Sequence, residues 1–176
     1  MVTVWWSAAG VFAEYGERVL AVALDVTDEA QALAAVETAV AGFGRIDVLV
    51  NNAGYGQLAP FEENFASDAD KQFATNVFGV FNVCRAVLPV MRQQRSGQVF
   101  NLSSMGGVVG MGGAALYCAS KFAVEGFSES LALEVAQFGI KVTLVEPGVF
   151  RTDFLDPSSA VFGTRGLEDY AAFTAK

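Results

Sequence analysis

The chain has 176 residues, enough for one domain with a real core, with 53% hydrophobic residues, 17% charged residues and a net charge of −8. An acidic balance with no basic block speaks against nucleic acid, and against an anionic membrane surface, as partners. Histidine is absent, which removes Ser-His-Asp and Cys-His nucleophilic sites and most catalytic zinc sites. Cys84 and Cys118 stand alone in the sequence and read as reduced core thiols of a cytoplasmic protein, not as metal ligands. We find no apolar run of the roughly 18 residues that a membrane span requires. The N-terminus lacks the basic region that opens a signal peptide.

In chain order, strands and helices alternate. The segment "RVLAVALDV" (18–26) is a short β-branched run ending at an aspartate, a strand. The alanine-rich stretch 27–44 opens with Thr27 and Asp28 and stops at Gly44, a capped helix. "IDVLVNNAG" (46–54) is a strand running into a glycine turn. Residues 62–94 read as one long helix or two, with Pro89 as a candidate kink. "GQVFNLSS" (97–104) is a strand, "MGGVVGMGG" (105–113) a flexible loop, and 114–138 a helix ending at Gly139. "IKVTLVEPG" (140–148) is a strand stopped by Pro147-Gly148, and 149–176 is loop with a weak helix near "LEDYAAF".

This alternation predicts an α/β fold, a doubly wound parallel sheet with helices on both faces and near-continuous apolar strands between them. Ligands in such sheets bind at the carboxyl ends of the strands. Those ends carry Asp25, "NNAG" (51–54), "SS" (103–104) and "EPG" (146–148). "YCASK" (117–121) opens the helix that follows the glycine loop. Tyr117 and Lys121 are four positions apart, on one helix face. A free tyrosine titrates near pH 10, and a neighbouring ammonium favours its phenolate. Ser104 lies 13 residues before Tyr117, so a strand end and a first helical turn meet across the loop. Two hydroxyls there can hold a carbonyl oxygen while the tyrosine gives or takes a proton. An electron carrier is what this set lacks, and the small residues of "NNAG" allow a flat cofactor close to the backbone.

"DV" (25–26), "NNAG" (51–54), Asn76 in "TNVFG", "NLSS" (101–104), "YCASK" (117–121) and "EPGVFRT" (146–152) together resemble the short-chain dehydrogenase/reductases over about residues 14–154. The resemblance implies a Rossmann-like fold and NAD or NADP as cofactor, with the choice between them open. It implies Tyr117 as general acid/base, Lys121 as the group that lowers its pKa and bonds the nicotinamide ribose, and Ser104 as the group that orients the substrate. Asn76 would hold a water that relays protons through Lys121. Asp25 and Val26 would meet the adenine, and Asn52, Ala53 and Gly54 would line the cofactor. Pro147, Gly148, Phe150 and Thr152 would surround the nicotinamide. Ser103 is the decoy beside Ser104, and Asn51 reads as a residue satisfying backbone in the sheet. The family also implies a homo-oligomer built through the helices at about 62–94 and 114–138. The apolar loop 105–116 and the Phe150/Phe154 pair point to an apolar alcohol or ketone substrate.

The pattern departs from the family at its start. A strand followed by T-G-x-x-x-G-x-G, which holds the pyrophosphate at a helix N-terminus, does not occur there, and "MVTVWWSAAGVFAEYGERV" has only Gly10 and Gly16. Gly106, Gly110 and Gly112 formally spell the glycine pattern, but Ser104 and Tyr117 bracket them, which makes this the substrate-side loop. The chain thus reads as a single partial dinucleotide-binding domain over 1–176, atypical in 1–12 and lacking the first glycine-turn unit and the last strand. "VTVWW" (2–6) is a candidate for one of the vacant strand places. Two functions follow: an NAD(P)-dependent oxidoreductase, or an inactive remnant or interaction module that keeps the catalytic letters.

Overall fold

The computed structural model describes residues 2–3, 13–148, 150, 154, 156 and 159–174. The first strands are short. β1 (Val2–Thr3) pairs in parallel with β2 (Leu20–Ala21). The strand expected over 18–26 therefore narrows to two residues, because its pairing is limited to β1. α1 (Glu29–Phe43) begins at Asp28, whose carboxylate accepts the Ala30 and Gln31 N–H groups at 2.9 and 3.2 Å. It stops at Gly44, which is left-handed at φ 75°.

The main sheet has three parallel strands in the order β3-β5-β6: β3 (Val48–Asn51), β5 (Gly97–Leu102) and β6 (Ile140–Val145). Its register aligns Leu49, Val99 and Val142 in one row and Asn51, Asn101 and Leu144 in the next. Both rows face the helices. α3 (Gly79–Gln94) supplies Val80, Val83, Val87 and Met91 to the core, and α4 (Ala115–Val135) supplies Val124, Leu131 and Val135. α1 adds Ala32 to the same cluster. On the opposite face Val48 and Val50 are 54% and 56% exposed. The expected helix layers on both faces are thus present, among the described residues, on one face only, while the parallel Rossmann-like plan stands.

The stretch expected as one helix or two is α2 (Ala66–Phe73), a π-helical turn (Ala74–Phe78) and α3, in unbroken succession. Pro89 is accommodated inside α3. The 29 residues Ala66–Gln94 are long and apolar enough to cross a membrane by length and composition. Here one side of them forms the centre of the core. A small sheet that the sequence pattern did not announce joins β4 (Gly56–Leu58) to β7 (Ala160–Phe162) in parallel. α5 (Ala171–Thr174) closes the described chain near the expected weak helix.

A buried polar chain ties sheet to helices. The Asn51 amide donates to Asn101 Oδ1 at 2.8 Å and to Cys84 Sγ at 3.2 Å, and the Asn101 amide donates to Ser128 Oγ at 2.8 Å. Asn51 therefore bonds neighbouring side chains, not the sheet backbone as its sequence position suggested. Cys84 and Cys118 are free and buried, and burial pushes the Cys84 thiol up to about 11.

Candidate active site

The carboxyl ends of β3, β5 and β6 meet the first turns of α4. Ser104 follows β5 in extended conformation, φ −170° and ψ 162°, and its Oγ accepts the Gly106 N–H at 3.1 Å. That bond fixes the hydroxyl at the mouth of the glycine loop. The neighbouring strand holds the same corner, for Ser103 N–H donates to the Val145 carbonyl at 2.8 Å and Met105 N–H to the Pro147 carbonyl at 3.1 Å. Gly106 packs against Tyr117 and Cys118, and Gly112 and Gly113 pack against Phe173. The glycine pattern at 106–112 is therefore wall material beside the tyrosine, as its position between Ser104 and Tyr117 implied.

Tyr117 is buried beneath Phe154, with ring centroids 5.7 Å apart. Burial raises its phenol above the ordinary tyrosine value, and the Ser104 side chain beside it offsets only part of that rise. In this structure the group that lowers the phenol is thus Ser104. Lys121 lies with its Nζ 5.8 Å from the Tyr117 ring centroid and donates to the Leu102 carbonyl at 2.7 Å. It is only 7% exposed. Burial pushes the lysine down to about 8, against the pull of Glu125, which raises it.

Asn76 sits within the π-helical turn, a distortion often found at functional sites. Its Oδ1 accepts the Tyr55 N–H at 3.1 Å, and its amide donates to the Tyr55 carbonyl at 2.9 Å and to Ser120 Oγ at 3.1 Å. Gln72, one turn earlier, repeats the grip: its Oε1 accepts the Gln57 N–H at 2.7 Å and its amide donates to the Tyr55 carbonyl at 2.9 Å. The two amides hold the loop after β3 in place. In that loop Asn52, Ala53 and Gly54 are exposed. A Cβ on Gly54 would lie 3.2 Å from Asn76 Oδ1 and 3.8 Å from Lys121 Nζ, so the glycine keeps open the space in front of both.

The structure therefore brings Ser104, Tyr117, Lys121, Asn76 and Gly54 together, with Pro147 tied to the same corner. Asp25 and Val26 lie on the loop before α1. The Asp25 carboxylate accepts the Thr27 N–H and hydroxyl at 2.9 and 2.8 Å. The Val26 carbonyl accepts from Asn82 at 3.0 Å, which anchors this loop to α3. Gly148 is exposed with open space around it, and Phe150 is 68% exposed. Thr152 falls outside the described residues. Gln72, Ser120 and Glu125 were missed by sequence reasoning. Gln72 had one usable signal, its place four residues before Asn76, where helical neighbours share a face.

Comparison with known proteins gives the family. Residues 7–161 match the short chain dehydrogenase family, and the chain belongs to it. Among relatives, oxidoreductase BOA17 of Botryotinia fuckeliana is 51% identical over 145 residues, 82% of this chain and 53% of that protein. The 3-ketodihydrosphingosine reductase of Bacteroides thetaiotaomicron is 48% identical over 154 residues, 88% of this chain and 57% of that protein. A short-chain dehydrogenase from Streptomyces avermitilis superposes with TM-score 0.89 at 41% identity, covering 97% of this chain and 64% of that one. A Burkholderia cenocepacia gluconate 5-dehydrogenase solved with NADP and tartrate gives TM-score 0.83 at 29% identity, covering 88% and 63% of the two chains. A short chain dehydrogenase/reductase from Burkholderia phymatum solved with NAD also gives 0.83, at 27% identity, covering 94% and 60%. The chain spans a little over half the length of the curated relatives it matches.

Proposed function

We propose that this chain carries the catalytic half of an NAD(P)-dependent oxidoreductase that interconverts an alcohol and a carbonyl compound. The observation that carries the reading is one cluster: buried Tyr117 and Lys121 a helical turn apart, with Ser104 beside the tyrosine at the facing strand end. Ser104 and Tyr117 would hold the substrate oxygen between two hydroxyls. Tyr117 would transfer the proton at its Oη, and the Lys121 ammonium beside the ring would favour the phenolate form.

The residues present fit a nicotinamide and its ribose. Gly54 leaves room in front of Asn76 and Lys121 that any side chain would fill. Asn52, Ala53, Gly148 and Phe150 are exposed at the strand ends, and Asp25 and Val26 would take the adenine end. When bound, the cofactor supplies or accepts the hydride. Thr152 would complete the nicotinamide side, and Asn76 would serve a water-mediated proton path through Lys121.

For the substrate we favour an apolar carbonyl compound, on the strength of Phe154 over Tyr117 and Phe173 over Gly112. The reductase of Bacteroides thetaiotaomicron named above fits that class. We also propose a homo-oligomer through α3 and α4: α4 exposes Phe122 and Leu133, and Phe78 is exposed on the turn that leads into α3. Two open concavities of about 240 Å³ each lie on their outer side, one between Leu88 and Phe138 and one between Phe81 and Leu131. They follow helix packing and lie apart from the strand ends where the chemistry gathers. A cytoplasmic location rests on the two free, buried thiols.

Oxidation of NADH and NADPH in the presence of long-chain ketones tests the reading. Ketone-dependent oxidation by the wild type that Tyr117→Phe abolishes supports it. Equal rates for the two proteins contradict it.

A further inference from the structure

Helix α4 presents three polar side chains in one stripe: Tyr117, Lys121 and Glu125, each four residues beyond the last. The first two belong to the reading above. Glu125 has no part in it, yet its surroundings are unusual. Its Oε1 is buried without a hydrogen-bond partner, and so is Ser103 Oγ. Both atoms flank Gly107, where an added Cβ would come within 2.5 Å of Ser103 Oγ and 3.0 Å of Glu125 Oε1. Native proteins leave few buried polar atoms unpaired, because each forfeits its hydration. A carboxylate oxygen held this way points to a charge it offsets.

Lys121, one helical turn earlier on the same face, is the neighbouring cation. Its ammonium is buried and bonded to a neutral carbonyl, Leu102 O, which leaves the charge itself uncompensated. Among the described residues, the Tyr117 ring from its own helix, the Leu102 carbonyl from β5 and Gly54 from the loop after β3 lie against it, and Glu125 follows one turn along α4. Among these, only Glu125 is a carboxyl group.

We propose that Glu125 is a positioning residue for the Tyr117–Lys121 pair: from one turn beyond, over Gly107, its carboxylate keeps the buried Lys121 side chain a cation. Consistent with this, Glu125 is the influence that raises the lysine against its burial. On the catalytic reading, on which this consequence rests, Glu125 governs how much ammonium stands beside Tyr117 at neutral pH.

The test needs neither cofactor nor turnover, so its failure and failure of the catalytic reading are separate results. The chain has four lysines, Lys71, Lys121, Lys141 and Lys176, so their ε-carbon resonances can be followed individually by NMR. The Lys121 signal is assigned by its loss in Lys121→Arg. The expected midpoint is about 8 in the wild type and lower by roughly a unit in Glu125→Gln, while Glu125→Asp stays near the wild type. An unchanged midpoint in Glu125→Gln overturns the proposal. If Glu125→Gln does not fold, the wild type decides. The Glu125 carboxyl carbon must show an inflection in step with Lys121, and its absence also overturns the proposal.

Discussion

On the proposed reading the proton transfer rests on Tyr117 and Lys121, and the predictions at this scale concern them. Tyr117→Phe keeps the ring beneath Phe154 and removes the proton donor. It is expected to lower turnover by about 10²–10⁴-fold with cofactor affinity little changed, read from steady-state rates beside a binding titration. Lys121 makes a prediction about stability. Its folded-state value of about 8 lies below the ordinary 10.5. Between those values the unfolded chain binds the extra proton, so the lysine's contribution to stability rises with pH across that window. Below about 8 the cost of burying the ammonium is fully present, roughly 3 kcal/mol at most, and it vanishes above 10.5. Cys84 acts in the opposite sense between 9.0 and about 11, but equally in any two proteins that share it. Urea unfolding of the wild type and Lys121→Met should therefore show the mutant's stability advantage shrinking as pH rises from about 7 to about 10. A gap constant with pH would contradict the buried ammonium. The tyrosine and lysine were legible because helical spacing puts positions 117 and 121 on one face and because "YCASK" is one of the motifs that resemble the family. Gln72 and Glu125 share that spacing with Asn76 and Lys121, but what surrounds them, the Tyr55 backbone and Gly107, is defined by how the loop and the glycines pack.

Elements were legible where their ends carry chemistry of their own. Asp28 and Gly44 mark α1, and Gly139 closes the helical run after α4 at φ 71°. An alanine at 139 would combine that left-handed backbone with a Cβ 2.6 Å from the Arg95 carbonyl oxygen. We expect Gly139→Ala to cost more than about 1 kcal/mol, measured as a lowered urea midpoint, with the site unaltered. The π-helical turn at 74–78 had no such signature. It is a product of Asn76 reaching across to Tyr55 and Ser120. The pairing of β4 with β7 was equally hidden, because two three-residue strands about a hundred positions apart leave no periodicity to read. The polar chain Asn51–Asn101–Ser128 lies between these cases. Its residues stand at inward positions of apolar strands and helices, and the partners emerge only once β3 and β5 are in register. Asn101→Ala would leave the Asn51 amide with Cys84 Sγ alone and take the donor from the Ser128 hydroxyl, at an expected cost of about 1–3 kcal/mol, read from the same unfolding curves.

At the scale of the molecule, the described residues form three parallel strands with helices on one face, which place the site at a single edge, where β3, β5 and β6 end beside α4. The parallel plan followed from strand-helix alternation. The open opposite face, with Val48 and Val50 exposed, was not expected, since a two-sided apolar strand reads the same whether or not its second face is covered. The account turns on whether this arrangement holds a dinucleotide through its nicotinamide half. Titration of the monodisperse chain with NADH and NADPH, followed by cofactor fluorescence and thermal unfolding together, measures that directly. A ligand of the native state must raise its apparent stability. The account predicts a saturable rise in melting temperature with one or both cofactors, lost in Lys121→Ala. A folded sample whose melting temperature and fluorescence stay unchanged up to roughly millimolar cofactor would contradict it.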